Sequence, residues 1–279
     1  MAPRPDSPRS SGKIPRPLLS IVIPTRDRLP LLEAAIGSAF AQDSEDFELV
    51  VVDNGSVDGT WDYLTSITDP RLRIANNGNP SGSTYTHNRS ILMSRGRFVS
   101  VLHDDDFVAP HLVSTIGAAS RAHPQAELFC FSTCLTDEQG ENPVVWWEPE
   151  REALLPPPEA LLLFAAEWTI SSAQVVFART VFQRYGVMDE TLPIGSDAEL
   201  ILRWMASCTT LLIPEVLTRK RRWAGSTSSA VESTAEFAAT MRGLVDRVSR
   251  AADESGVLSE EQRAELGSSL RSSFIRTGR

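Results

Sequence analysis

Acidic side chains fall where chemistry would need them, at the ends of apolar runs. Leu18-Leu19-Ser20-Ile21-Val22-Ile23 closes in Pro24-Thr25-Arg26-Asp27, Phe47 to Val52 closes in Asp53-Asn54-Gly55-Ser56, and Phe98 to Leu102 closes in His103-Asp104-Asp105-Asp106. Three adjacent carboxylates repel one another, and a cation placed between them relieves that cost. Hard oxygen ligands suit Mg2+ or Mn2+, which commonly also hold substrate phosphates. A solvated turn, with Asp106 capping the next element, is the plainer alternative. Asp53 sits in turn chemistry that follows strands for backbone reasons alone, yet a carboxylate there can accept a hydrogen bond from a base N–H. Ser196-Asp197-Ala198-Glu199 fits a capping box with Ser196 as N-cap and Glu199 at N3. The helix dipole favours an acid in that first turn and keeps it ionised, ready to accept a proton. The pattern alone does not separate cap from base.

These acids need elements to position them. The runs they close are apolar at nearly every position rather than alternating, the mark of parallel strands covered on both faces. Helical segments lie between them. Leu31, Leu32, Ala35, Ile36, Ala39 and Phe40 recur at helical spacing behind Pro30. Asp58 can cap a short helix through Trp61, Tyr63 and Leu64, Leu72-Arg73-Ile74 reads as a strand, and a helix follows from Thr84 to Ser94. Strands alternating with helices make an α/β sheet with right-handed crossovers. Ligands bind beyond the carboxyl ends of such strands, so the three acid-bearing ends should meet in one crevice. Farther along, Leu128–Phe131, Ala173–Phe177 and Thr210–Pro214 read as strands and 197–206 as a helix, with Trp146-Trp147 and Pro156-Pro157-Pro158 marking a loop or flap. Residues 231–279 read as helical, with Phe237, Met241, Leu244 and Val248 on one face.

The net charge of -9 argues against a general nucleic-acid or membrane-surface binder. Residues 1–17 form a basic, Pro/Ser-rich leader without the apolar core of a signal peptide, and we expect disorder there. The apolar stretch Ala160–Ala166 is too short to span a membrane, so the expectation is a soluble, cytoplasmic protein. Cys130, Cys134 and Cys208 form no CxxC pair and read as buried small hydrophobes, and the four histidines form no zinc-type cluster.

The ordered set Ile21-Val22-Ile23-Pro24-Thr25-Arg26-Asp27-Arg28, Val51-Val52-Asp53-Asn54-Gly55-Ser56-Val57-Asp58-Gly59-Thr60 and Leu102-His103-Asp104-Asp105-Asp106 resembles glycosyltransferase family 2. The resemblance continues more loosely through Asn79-Pro80-Ser81-Gly82, Asn88, Gly186 to Glu190 and Asp197 to Arg203, and fades after about residue 229. It implies a GT-A fold, a mainly parallel sheet flanked by helices, with the nucleotide-binding part at about 18–110, the acceptor side at about 111–229 and a helical extension over 230–279. It further implies inverting transfer of a sugar from a nucleoside diphosphate donor, UDP by default, to a hydroxyl on a glycan or small molecule. By that resemblance Thr25 and Asp53 hold the nucleoside, and Arg26 and Asp27 line the same pocket. Asp104 and Asp106 match the DxD metal positions with Asp105 between them, and Asp197 matches the general base. Trp204 and Trp223 could stack on sugars, with core packing the commoner role for Trp204.

Two departures stand out. Thr86-His87-Asn88 replaces the family's basic residue with His87, which could serve the nucleotide when protonated. Arg219-Lys220-Arg221-Arg222-Trp223-Ala224-Gly225-Ser226 lacks the late histidine near the diphosphate, a task that could pass to Arg222 or Arg221; a solvated basic turn is the alternative. Two other functions compete. A sugar-phosphate nucleotidyltransferase would show a glycine-rich loop after the first strand, and Pro24 to Arg28 has no glycine. A non-catalytic sugar-nucleotide or glycan-binding module is opposed by the intact acids. The C-terminal helices could close the site, cover the sheet or form a homodimer contact.

Overall fold

The computed structural model describes residues 16–167, 170–192, 195–223 and 235–277. Its first half is the expected alternation: β1 (Leu19–Thr25), α1 (Leu29–Phe40), β2 (Phe47–Asp53), α2 (Thr60–Ser66), β3 (Leu72–Asn76), α3 (Ser83–Met93), β4 (Phe98–Val101), β5 (Phe107–Val108) and α4 (Leu112–Ala122). The second half carries β6 (Leu128–Thr136), β7 (Val144–Trp147), β8 (Ala153–Leu155), α5 (Glu159–Glu167), a 3-10 turn at Ser172–Gln174, β9 (Val175–Ala178), α6 (Arg179–Tyr185), α7 (Ser196–Met205) and β10 (Thr210–Arg221). Two long helices complete the chain, α8 (Ala235–Ser255) and α9 (Glu260–Thr277).

The strands form one sheet in the order β3-β2-β1-β4-β9-β6-β10-β5, with β7 paired to β6 and β8 to β10. β1 to β4 are parallel, as are β6 and β10, while β9 runs antiparallel between those groups. Consecutive strand residues divide between two cores, which is why the runs carry apolar residues on both faces, with Ser20, Glu48 and Ser100 as buried polar exceptions. Val22, Val50, Val52, Val99 and Val101 enter one cluster, and Leu19, Ile21, Ile23, Leu49 and Val51 the other. The first cluster also takes Trp204 of α7, Leu244, Val248 and Ala252 of α8, and Leu266 and Leu270 of α9. The C-terminal helices therefore pack against α5 and α7, on the side of the sheet those helices occupy. Of the proposed apolar face, Phe237 and Met241 fall within α8 but their side chains are not described, and residues 1–15 of the basic leader lie outside the described residues. Arg16 is described, and its Nε donates to Arg95 O at 3.1 Å.

Three local expectations are corrected. α7 has Gly195 as N-cap, in the left-handed region at φ 70°, with no side-chain cap. Ser196 is the first helical residue, and Glu199 is buried and paired with Arg203 Nε at 2.8 Å instead of reaching back to a capping box. Asp58 caps differently from the expected pattern: one oxygen accepts the Thr60 N–H at 3.1 Å, and the other accepts the Leu29 N–H of α1 at 2.9 Å. Finally, the last strand does not stop at Pro214. The missing N–H of Pro214 falls where the β10–β6 register shifts between Ile213 and Val216, a bulge that tolerates proline. The strand then runs on to Arg221, so Arg219 to Arg221 form strand rather than turn.

Candidate active site

Thr25, Asp53 and Asn76 stand level across β1, β2 and β3. Asp53 is fully buried; one oxygen accepts the Ser56 N–H at 3.0 Å and the other the Asn76 amide at 2.6 Å. Burial raises its pKa, with the Ser56 bonds opposing. The turn after it is rigid. Gly55 has φ 74°, and a Cβ there would press on the Asn79–Pro80 backbone at 3.1 Å. Asn54 accepts the Ser81 N–H at 2.9 Å and the Asn77 amide at 2.8 Å. Asp27 ties the neighbouring turn to this one, its N–H donating to Ser56 Oγ at 2.9 Å and its carboxylate accepting the Val57 N–H at 2.8 Å. Arg26 is exposed at the rim and pairs with Asp27 at 3.3 Å.

The acidic triplet is pinned between β4 and β5, and β5 is held in turn by β10. Its members have different surroundings. Asp104 accepts Thr25 Oγ1 at 2.9 Å and pairs with Arg28 at 3.0 Å. Burial raises its pKa against the pull of Arg28. Asp105 meets Arg28 Nη1 at 3.4 Å and Trp223 Nε1 at 3.0 Å, while its carbonyl accepts Arg221 Nε at 2.6 Å. Asp106 accepts the Arg221 backbone N–H at 3.0 Å through Oδ1. Its Oδ2 is buried and accepts no hydrogen bond among the described residues; His103 Nδ1 lies 3.4 Å away. Burial disfavours a charged His103, but the Asp106 and Asp105 carboxylates outweigh it and raise its pKa. Ligand atoms of His103, Asp105 and Asp106 lie within 4.8 Å of one another. Two carboxylates, one of them with an orphaned buried oxygen, and an imidazole fit a divalent cation.

Asp197, near the start of α7, faces this cluster across Ser172. The Ser172 N–H and Oγ approach Asp197 Oδ2 at 3.3 and 3.4 Å, and Ser172 Oγ is 3.0 Å from His103 Nε2. Beside it Lys220 Nζ donates to Ser171 Oγ at 3.3 Å and lies 4.9 Å from the Trp146 ring centroid. Trp146, expected in a loop or flap, lies instead on the short strand β7, against the Lys220 ammonium.

Of the sequence candidates, Thr25, Asp53, Asp104, Asp105 and Asp106 converge, and Asp197 joins them through Ser172. His87 on α3 stacks edge-on against His103, centroids 5.8 Å apart. Burial, reinforced by His103, lowers its pKa to about 4. At neutral pH the ring is uncharged, contrary to the expected protonated contact, and its Nδ1 is spent on Ser83 O at 2.9 Å. The basic run also resolves. Arg221 is buried against the triplet, its other end reaching Leu31 O at 3.2 Å, whereas the Arg222 side chain is exposed and its N–H bonds Thr136 O at 2.9 Å. Ala224 to Ser226 of that segment lie outside the described residues. Trp204 is core, as expected, while Trp223 covers Asp105 and stacks under Arg28 at 5.3 Å. Sequence reasoning missed His103, Arg28 and Ser172. His103 and Arg28 lie inside the quoted motifs, so their position was a signal; Ser172 had none, because its role depends on a contact with α7.

The profile of "Glycosyl transferase family 2" matches residues 20–182, more than half of the chain. The succinoglycan biosynthesis protein ExoO of Rhizobium meliloti is 29% identical over 205 residues, covering 72% of this chain and 58% of its own length. The GalNAc(5)-diNAcBac-PP-undecaprenol beta-1,3-glucosyltransferase of Campylobacter jejuni is 32% identical over 127 residues, 44% of this chain and 40% of that relative. The chain thus spans less than two thirds of the length of either. In fold it is similar to S. aureus TarS 1-349 in complex with UDP, with a TM-score of 0.72 at 16% identity over 92% of this chain and 70% of that one. Among the described residues no helix is long and apolar enough to cross a membrane. By the profile match over most of the sheet, on a GT-A fold, the chain belongs to glycosyl transferase family 2.

Proposed function

We propose that this chain is an inverting glycosyltransferase that moves a sugar from a nucleoside diphosphate donor, a UDP-sugar in the first instance, to an acceptor hydroxyl on a glycan or small molecule. The observation that carries this reading is the meeting of Thr25, Asp53 and the acidic triplet, from the ends of β1, β2 and β4, with Asp197 through His103 and Ser172. The UDP named in the TarS complex and the glucosyl transfer named for the Campylobacter relative support the same donor class.

In this reading the part at about 18–110 takes the nucleotide and the part at about 111–229 takes the acceptor. Thr25 and Asp53 hold the nucleoside, Arg26 and Asp27 border it at the rim, and Asp104 meets the ribose or diphosphate. His103, Asp105 and Asp106 would hold Mn2+ or Mg2+, and the nitrogen donor favours Mn2+ because Mg2+ demands oxygen ligands. When bound, that cation supplies positive charge to the departing diphosphate. His87 and the exposed Arg222 are, in this reading, the candidates for contact with the diphosphate. Asp197 accepts the proton of the acceptor hydroxyl as its oxygen bonds the anomeric carbon, opposite the breaking bond to the diphosphate, and the configuration inverts. Such a base contributes about 100- to 10,000-fold.

The test is Asp197→Asn, read by UDP release from UDP-sugars and by UDP affinity. We expect turnover to fall by about 100-fold or more with nucleotide affinity unchanged. Collapse of UDP binding would make Asp197 a binding or structural residue instead.

A further inference from the structure

One hydroxyl lies between the acidic cluster and Asp197. Ser172 Oγ is 3.0 Å from His103 Nε2 and 3.4 Å from Asp197 Oδ2, and the Ser172 N–H points to that same carboxylate oxygen at 3.3 Å. Ser172 is buried in the 3-10 turn that precedes β9, so the hydroxyl is not free to turn to solvent. On the opposite edge of the ring, His103 Nδ1 faces the orphaned Asp106 Oδ2.

A neutral imidazole carries one proton, and the nitrogen that holds it sets the direction of every bond in this line. With the proton on Nδ1, facing Asp106, Nε2 is an acceptor and the Ser172 hydroxyl donates to it, turning its hydrogen away from Asp197. A divalent cation shared with Asp105 and Asp106 needs the Nδ1 lone pair, so the ring proton must sit on Nε2. Nε2–H then donates to Ser172 Oγ, and the hydroxyl hydrogen turns to Asp197 Oδ2. The ring proton changes nitrogen, the hydroxyl rotates, and nothing else is gained or lost.

We propose that Ser172 is a positioning residue that couples occupancy of the His103–Asp105–Asp106 group to the orientation of Asp197. The inference rests on the functional reading above. Coupling of this kind is reciprocal: if the cation directs the serine hydrogen to Asp197, the Asp197 carboxylate must in turn favour the tautomer that binds the cation. Ligand-orienting partners of metal-bound histidines typically change affinity or activity by about 10- to 100-fold.

The test is Mn2+ affinity at pH 8 with saturating UDP, read by the electron paramagnetic resonance signal of free Mn2+. It is measured for the wild type, Ser172→Ala, Asp197→Ala and the double variant, with kcat and KM on a UDP-sugar alongside. We expect Asp197→Ala to weaken Mn2+ by about fivefold or more in the wild-type background and by less than about twofold when Ser172 is Ala. Ser172→Thr, which keeps the hydroxyl, should restore the coupling, and Ser172→Ala should lower kcat with KM for the donor unchanged. Equal weakening in both backgrounds would be a through-space charge effect and would overturn the relay. So would intact Mn2+ binding that ignores Asp197. Absence of Mn2+ binding in the wild type would instead remove the functional reading on which the relay stands.

Discussion

His87 shows how a single side chain can differ from its role in the family pattern. With a folded pKa of about 4 against an ordinary 6.5, the folded state binds fewer protons than the unfolded chain between those values. The stability this neutral ring contributes is therefore present above pH 6.5 and lost as pH falls toward 4. We predict that His87→Gln flattens the fall of Tm over that window relative to the wild type; parallel curves would contradict the assignment. A bound diphosphate should reverse the balance and raise the His87 pKa, which the ring proton shifts in NMR report with and without UDP. At this scale the sequence identified the acids, because carboxylates at strand ends announce themselves by position. It could not assign their partners. Arg221 and Arg222 are neighbours of equal charge, and the last position of β10 buries one against Asp105 while the other, just past the strand, is exposed. Glu199 likewise read as a cap until its pairing with Arg203 was visible.

Among the elements, the site depends on β1 and β4 lying side by side at the correct height. That register brings Thr25 to Asp104, and Gly96 allows it. A Cβ at Gly96 would stand 2.6 Å from Ser20 N and 2.7 Å from Phe98 O, both backbone atoms. Gly96→Ala must therefore push the two strands apart. We predict a loss of about 1–3 kcal/mol in denaturant unfolding, accompanied by weaker nucleotide binding; an unaltered midpoint would show that the strands yield without cost. The strand–helix alternation before the triplet was readable because each strand is apolar on both faces and each helix has a helical period. The second half was harder. β9 enters antiparallel, β7 and β8 are short, and Pro214 marks a bulge rather than an end. Pairing across the sheet, rather than any local signal, decides those elements.

For the whole molecule, the C-terminal helices belong to the same core as the sheet. Leu270 of α9 is fully buried, in one cluster with Trp204 and Val101. Leu270→Ala should cost about 2–5 kcal/mol, as a core leucine does; a cost below about 0.5 kcal/mol would mark the helix as a peripheral appendage. Calorimetric binding of UDP, GDP and dTDP to the wild type and to Asp106→Ala, each with Mn2+, with Mg2+ and with EDTA, decides whether the acidic cluster is a metal-dependent nucleotide site. One nucleotide, UDP first, should bind the wild type tightly with Mn2+, more weakly with Mg2+ and poorly in EDTA, and Asp106→Ala should erase the metal dependence while keeping the fold. Absence of binding for every nucleotide under every condition, or binding indifferent to both the metal and Asp106, would contradict that assignment.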